Sequence, residues 1–131
     1  IVGRLAAYIC NILRGKNKAT FNPHLDNGDF VVVTNIEKMK FSGNKLEEKI
    51  YYRHTGHPGG LKEMTPKRLQ DKNKTQEILR LAVKRMLPGG VLAKKQMTKL
   101  KIYTGEDHPH GVQDPKVIDF GKENKSNLFK I

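Results

Sequence analysis

The sequence has little cysteine, no long apolar run and few acids. Its single cysteine, Cys10, excludes a disulfide framework within the chain and a zinc finger built on cysteines. No apolar run approaches the roughly 20 residues that a transmembrane helix needs. Among 131 residues, 13 acids stand against 25 lysines and arginines, which gives a formal net charge of +12. Because such an excess repels itself in a folded chain, it predicts a polyanionic partner.

Acids are missing altogether from two segments of the chain. Residues 1–20 carry Arg4, Arg14, Lys16 and Lys18 without any acid. The second acid-free segment, residues 81–101, contains Lys84, Arg85, Lys94, Lys95, Lys99 and Lys101. A surface that only faces solvent mixes both signs of charge, so this segregation favours contact with an anionic surface, most often a nucleic acid.

Hydrophobic spacing in the first half of the chain predicts helices and strands in alternation. Apolar residues between positions 5 and 13 fall on one helical stripe, which Gly15 would end. The β-branched run at residues 30–34 predicts a strand buried on both faces, and residues 49–55 alternate as a second strand does. We expect an α/β layered domain with a largely parallel sheet, although the tyrosine pair in the second strand leaves an antiparallel hairpin open.

The second half continues the alternation. Thr65 and Pro66 predict the N-cap and the first residue of a short helix, and Thr75 predicts the cap of a longer one. The buried face of this longer helix would consist of Ile78, Leu79, Ala82, Val83 and Met86. Residues 92–99 predict a further short helix, and residues 100–103 predict a strand.

Cations cluster at two predicted helix ends. Arg14, Lys16 and Lys18 surround the end of the first helix. One or two cations suffice to stabilise a helix C-terminus, so three without an acid predict phosphate contacts. In the second acid-free segment, the helices lack the glutamates that usually accompany a solvated face. We expect a second anion-facing patch there, formed by Lys84, Arg85, Lys94, Lys95 and Lys99.

A glycine-rich loop lies between the two clusters. Residues 56–60 read Gly-His-Pro-Gly-Gly, which excludes regular structure and allows the backbone, at Gly59 and Gly60, to approach a ligand closely. The spacing does not match a Walker or dinucleotide-binding loop. Tyrosines before the loop either stack on a base or pack in the core. The neighbouring donors suited to phosphate and 2′-hydroxyl groups are Arg53, His54, Thr55, His57 and Lys62.

Four histidines raise the alternatives of a metal site or a nuclease. His54 with His57, and His108 with His110, have spacings at which zinc is bound. The same side chains could act as acid and base on RNA. No cysteine or paired acid completes a ligand set, and no catalytic carboxylate pair is present. We therefore expect neither a metal nor an enzyme.

Short motifs follow one another in a recognisable order as far as about Phe120. They are Gly3-Arg4-Leu5-Ala6, Arg14-Gly15-Lys16, Pro23-His24-Leu25-Asp26, Gly28-Asp29, Ser42-Gly43-Asn44-Lys45, residues 51–62, Ala82-Val83-Lys84, Met86-Leu87-Pro88, residues 100–103 and His108-Pro109-His110. This ordered series resembles the family of large-subunit ribosomal protein thirteen in its bacterial and organellar form.

The resemblance implies a three-layer α/β/α domain around a mostly parallel, four-stranded sheet. It implies no enzyme activity and no cofactor except the Mg²⁺ that accompanies ribosomal RNA. The implied partners are large-subunit ribosomal RNA and neighbouring large-subunit proteins, with no membrane or small-molecule substrate, and the implied role includes early subunit assembly. Without the resemblance, a nucleic-acid-binding module outside the ribosome would fit the composition equally well.

The predicted RNA-facing set combines the positions implied by the resemblance with the cation and histidine clusters. It comprises Arg4, Arg14, Lys16, Lys18, His24, Lys45, Arg53, His54, Thr55, His57, Gly59, Gly60, Lys62, Lys84, Arg85, Lys94, Lys95, Lys99, His108 and His110.

The chain departs from the family pattern at its start. Family members usually have a strand before the Gly-Arg-Leu-Ala motif, whereas this sequence begins at the motif. We expect one domain over residues 1–120 that lacks its first strand, followed by a polar tail at residues 121–131. The His108-Pro109-His110 motif and residues 117–125 look like alphaproteobacterial members. They favour a mitochondrial ribosome over a bacterial or plastid one.

Overall fold

The structure, a computed structural model, describes residues 1–123 and alternates helices with short strands. The helices are α1 (Val2–Arg14), α2 (Lys45–Glu48), α3 (Pro66–Asp71), α4 (Thr75–Met86), α5 (Gly90–Thr98) and α6 (Phe120–Glu123). The strands are β1 (Val31–Val33), β2 (Tyr51–His54), β3 (Leu61–Met64) and β4 (Leu100–Ile102). None of the described helices combines the length and the apolar character needed to cross a membrane.

The strands form two separate pairs. β1 and β4 pair in parallel, with Val31 opposite Leu100, and a parallel pair needs the long crossover that α2 to α5 supply. β2 and β3 form an antiparallel hairpin with Tyr51 opposite Met64. The predicted α/β class is confirmed. The strand that carries the tyrosine pair, β2, lies in an antiparallel hairpin, as the alternative prediction had it. The parallel sheet is smaller than the implied four strands because, within residues 1–123, the hairpin pairs only with itself.

The main core lies between α1, α4 and one face of the parallel strand pair. Helix α1 packs along α4, and the buried side chains include Ile9 and Leu13 of α1 and Leu79 and Val83 of α4. The strands contribute Leu100, and Val31, Val33 and Ile102 pack against the same cluster. Each of these aliphatic side chains stabilises the fold by about 1.5–3 kcal/mol when fully buried.

Two predicted helix ends are confirmed. Gly15 ends α1 in the left-handed region at φ 76°, and its N–H donates to the carbonyl of Ile12. At α3, the Thr65 hydroxyl accepts a hydrogen bond from the N–H of Arg68 at 3.4 Å, and Pro66 is the first helical residue.

Three details of the predicted elements are wrong. Thr75 is the first residue of α4 and Lys74 takes the cap position, because the turn that ends α3 at Asn73 (φ 56°) leads directly into α4. Met86 is 47% exposed because the buried ridge continues from Leu79 and Val83 to Leu87, which leaves Met86 to one side of it. Phe30 precedes β1 and is 74% exposed, and the three residues of β1 are only partly buried, so the strand begins one residue later and is not buried on both faces.

The boundary between domain and tail remains a prediction. Helix α6 includes the first residues of the predicted tail, up to Glu123. Residues 124–131 lie outside the described part of the chain.

Candidate nucleic-acid interface

The loop after α1 folds back onto the end of that helix. Gly28 lies so close to α1 that a Cβ there would sit 1.7 Å from the carbonyl oxygen of Leu13. The N–H of Asp29 donates to the carbonyl of Ile12 at 3.3 Å. The backbone of this loop is therefore fixed beside Arg14 and Lys16. Lys16 is exposed and makes no ion pair with any residue in the described part.

Two of the predicted RNA-facing lysines are used inside the protein. The ammonium of Lys18 pairs with the Asp29 carboxylate and donates to the carbonyl of Asn27 at 3.1 Å. The ammonium of Lys99 lies 2.8 Å from a carboxylate oxygen of Asp26, and its side chain is only 13% exposed. The Lys18 pair closes the loop on itself, and the Lys99 pair ties the loop to the residue that precedes β4. An RNA contact by either lysine remains a prediction.

The hairpin β2–β3 places two cations side by side. Arg53 lies directly opposite Lys62 in the antiparallel register, and both residues are exposed. Like charges in this position repel each other across the ladder and destabilise it. A phosphate bound between them would remove the repulsion. The hairpin is thus suited to anion binding on electrostatic grounds.

The glycine-rich loop that joins β2 to β3 is tightly closed. Gly56 and Gly59 have φ angles of 90° and 71°, which other residues rarely adopt. At Gly60, a Cβ would lie 1.9 Å from the hydroxyl oxygen of Thr55. The N–H of Gly56 donates to Nδ1 of His54 at 2.9 Å, so this imidazole is oriented by its own loop.

The tyrosine pair divides between the core and the surface. Tyr51 is buried, and the Arg85 guanidinium and the Lys49 ammonium lie 5.4 Å and 5.3 Å from its ring centroid. Burial raises the pKa of the Tyr51 hydroxyl, which nearby Arg85 partly offsets. Tyr52 is 55% exposed and accessible to a partner. Arg85 therefore connects the hairpin to the second cation patch on α4.

The second cation patch spans the end of α4 and the whole of α5. Lys84 and Arg85 are exposed in the last turn of α4, and Lys94 and Lys95 are exposed on α5. The proline and glycines at residues 88–90 interrupt the helical backbone between α4 and α5. Because no acid lies in residues 81–101, nothing in this segment neutralises these four charges.

The histidines do not assemble into one site. The Tyr103 hydroxyl lies 2.9 Å from Nε2 of His110, and the rings of His108 and His110 stack with centroids 6.2 Å apart. His54 and His57 belong to the hairpin loop instead. Among the described residues, no three histidine, cysteine or acidic side chains are grouped as a metal site would require.

Most of the predicted RNA-facing residues lie on the surface. The exposed ones are Arg4, Lys16, His24, Lys45, Arg53, His54, Thr55, His57, Gly59, Lys62, Lys84, Arg85, Lys94 and Lys95. The partly buried ones are Arg14, Lys18, Gly60, Lys99, His108 and His110. Lys49, which lies beside the Tyr51 ring, is not in the predicted set. The signal for it was its position two residues before Tyr51 and four before Arg53, which places all three on one face of a strand.

Together these features define a small, basic α/β protein with cations gathered on helix ends and on a hairpin. The family model for ribosomal protein L13 matches residues 1–109. The chain belongs to this family, whose members are structural and not enzymatic.

Curated relatives match almost the whole chain. The large ribosomal subunit protein uL13 of Neorickettsia sennetsu is 48% identical over 127 residues, which cover 97% of this chain and 84% of the relative. The protein of the same name from Maridesulfovibrio salexigens is 53% identical over 120 residues, covering 92% and 84%. That of a Geobacter species is 54% identical over 119 residues, covering 91% and 83%.

Proposed function

We propose that this chain is a structural constituent of the large ribosomal subunit and binds its ribosomal RNA through cations that form no ion pair within residues 1–123. The observation that carries the proposal is the placement of these charges. The Arg53–Lys62 pair and the acid-free patch of Lys84, Lys94 and Lys95 are exposed, whereas the Lys99 charge is already paired with Asp26.

The proposed binding is chiefly electrostatic. Each lysine or arginine that neutralises a phosphate releases condensed counterions, which makes the affinity strongly dependent on salt. The closed glycine loop brings backbone and short side chains close to the RNA, where Thr55 and His57 contact phosphate or 2′-hydroxyl groups. The neighbouring protein partners are other large-subunit proteins, and the bound chain supports early subunit assembly.

Cosedimentation tests this function. A tagged form of the full chain should migrate with large subunits in a gradient at high salt, because many phosphate contacts act together. A pool of the chain that is free of RNA under these conditions would contradict the proposal. RNA binding without association with large subunits would favour a module that acts outside the ribosome.

We also propose that the ribosome in question is mitochondrial. The support is the His108-Pro109-His110 motif and the composition of residues 117–125. Fractionation of the source cells should recover the chain with mitochondrial large subunits. Recovery with bacterial or plastid subunits would contradict this location and leave the ribosomal function intact.

A further inference from the structure

The parallel strand pair has two unlike faces. Val31, Val33, Leu100 and Ile102 pack against the main core. Side chains alternate along a strand, and residues paired in register share a face. The second face therefore carries Val32 and Lys101, which pair in the register. Phe30 and Lys99 directly precede the two strands, and the Lys99 ammonium lies beside the Phe30 ring.

Phe30 is an aromatic side chain held in the open on a fixed backbone. It is 74% exposed, and the Lys99 ammonium lies 5.9 Å from its ring centroid. Backbone hydrogen bonds fix the residues on both sides of Phe30. The N–H of Asp29 donates to the carbonyl of Ile12, and the N–H of Val31 donates to the carbonyl of Lys99 at 3.0 Å. Since the ring contributes little apolar burial to the described fold, its position is not explained by packing.

We propose that Phe30 is a stacking platform for an unpaired base of the bound RNA. This inference rests on the proposed function and adds one ligand contact to it. Sheets that bind single-stranded RNA present aromatic rings on an open face and place cations beside them for the backbone. The second face of the β1–β4 pair has this composition, with Phe30 as the ring and Lys101 as the exposed cation.

Charge favours a nucleobase over an apolar groove of a protein as the occupant. Lys101 is exposed, lies opposite Val32 in the register and forms no ion pair with any residue between 1 and 123. The Lys99 ammonium is fixed by Asp26 and by the carbonyl of Gly28 at 3.0 Å, so it remains beside the ring. The Lys99 charge is already paired with Asp26, so the cation available to a phosphate on this face is Lys101, and the Phe30 ring with Lys101 complements a base and its phosphate.

The absence of tryptophan from the chain allows a direct test. Phe30→Trp introduces a single indole whose emission a stacked base quenches. The variant is titrated in parallel with large-subunit ribosomal RNA, which has bases, and with heparin, which is a polyanion without bases. We expect strong quenching by the RNA and little by heparin. Val117→Trp, at a position that is 91% exposed and belongs to neither the cation patches nor the histidine clusters, is the matched control and should stay unquenched.

Affinity provides the second measurement. Phe30→Leu keeps an apolar side chain without a π face, and should weaken RNA binding by about tenfold, whereas Phe30→Tyr should retain it. If the Phe30→Trp variant binds RNA normally and its indole is not quenched, the stacking inference is overturned and the proposed function stands. A blue shift of the indole emission only when large-subunit proteins are added would also overturn it, in favour of a protein contact. Failure of the parent chain to bind the RNA at all would overturn the proposed function as well.

Discussion

Single residues decide where the first cation cluster lies. Gly28 admits the loop backbone to within contact of α1, the Lys18–Asp29 pair closes the loop on itself, and the Lys99–Asp26 pair ties it to the residue before β4. The cations of this region therefore have two different roles. Those paired with acids fix the backbone, and an exposed cation such as Lys16 projects from the backbone that they fix.

Replacement of Gly28 by alanine should destabilise the protein. The added Cβ overlaps the Leu13 carbonyl oxygen, a backbone atom that cannot move without disturbing the end of α1. We expect a loss of about 2 kcal/mol or more in the free energy of unfolding, measured by urea denaturation. Gly3→Ala is the matched control, because nothing lies within 4 Å of its Cβ position, and it should stabilise α1 by up to about 1 kcal/mol. Equal stabilities of the two variants would contradict the close approach.

Tyr51 gives the stability a measurable dependence on pH. Burial raises the pKa of its hydroxyl above the ordinary value of 10.0, so the folded state holds the proton longer than the unfolded state does. The contribution of this pKa difference to the free energy of unfolding is fully present below pH 10, and it is lost as the pH rises through the folded-state pKa of Tyr51.

The variant Tyr51→Phe has no hydroxyl to titrate at this position. Because the ordinary tyrosine pKa is about 10, the variant should lose less stability than the parent between pH 9 and pH 11. Urea denaturation across this range measures the difference, and other titrating groups cancel because both proteins share them. Near pH 7 the variant should be as stable as the parent, since within the described residues the buried hydroxyl has no hydrogen-bond partner. Tyr52→Phe, which alters an exposed ring, should follow the parent. Parallel curves for the parent and Tyr51→Phe would contradict the effect of burial.

At the scale of elements, the hairpin β2–β3 concentrates charge outside the core. Only its first pair, Tyr51 and Met64, faces the core, and the Arg53–Lys62 pair extends toward the loop. Within residues 1–123, no acid forms an ion pair with Arg53 or Lys62, so the hairpin holds an uncompensated like-charge pair. We therefore assign phosphate binding to the hairpin ahead of the histidine loop itself.

The double variant Arg53→Ala, Lys62→Ala tests this assignment. It should weaken binding to ribosomal RNA and lower the slope of log affinity against log salt by up to about two units. Stability should stay the same or rise by a few tenths of a kcal/mol, roughly, because the cross-strand repulsion is removed. Lys67→Ala is the control: this lysine already pairs with Glu47 at 2.8 Å, so its loss should leave the slope unchanged. An unchanged slope in the double variant would remove the hairpin from the phosphate contacts.

Local signals in the sequence account for most of the elements. The stripe in α1, the Gly15 stop and the Thr65–Pro66 start depend on neighbours within a few positions, and they predict the observed boundaries. Strand β3 escaped prediction because its four residues carry no strong β pattern. The Lys99–Asp26 ion pair could not be predicted, since the two residues lie 73 positions apart and only the fold brings them together.

At the scale of the whole molecule, the 25 lysines and arginines are divided between structure and surface. Some of them pair with acids inside the protein, as Lys99 does with Asp26, and such pairs leave the net charge of +12 unchanged. The cations in excess include those displayed on α4, α5 and the hairpin. A free chain with this distribution repels itself, whereas an RNA surface turns the same charges into binding energy. Under the proposed function, the excess charge is thus one half of an interface.

Lysine reactivity in intact large subunits tests this division most directly. An amine-reactive reagent is applied to the free chain and to assembled subunits, and modified positions are read by mass spectrometry. We expect Lys16, Lys62, Lys84, Lys94 and Lys95 to react in the free chain and to be protected in the subunit. Lys67, paired with Glu47 and lying outside the two acid-free segments, should react in both, and buried Lys99 should react weakly in both. Continued reactivity of the five exposed lysines in the subunit would contradict the account.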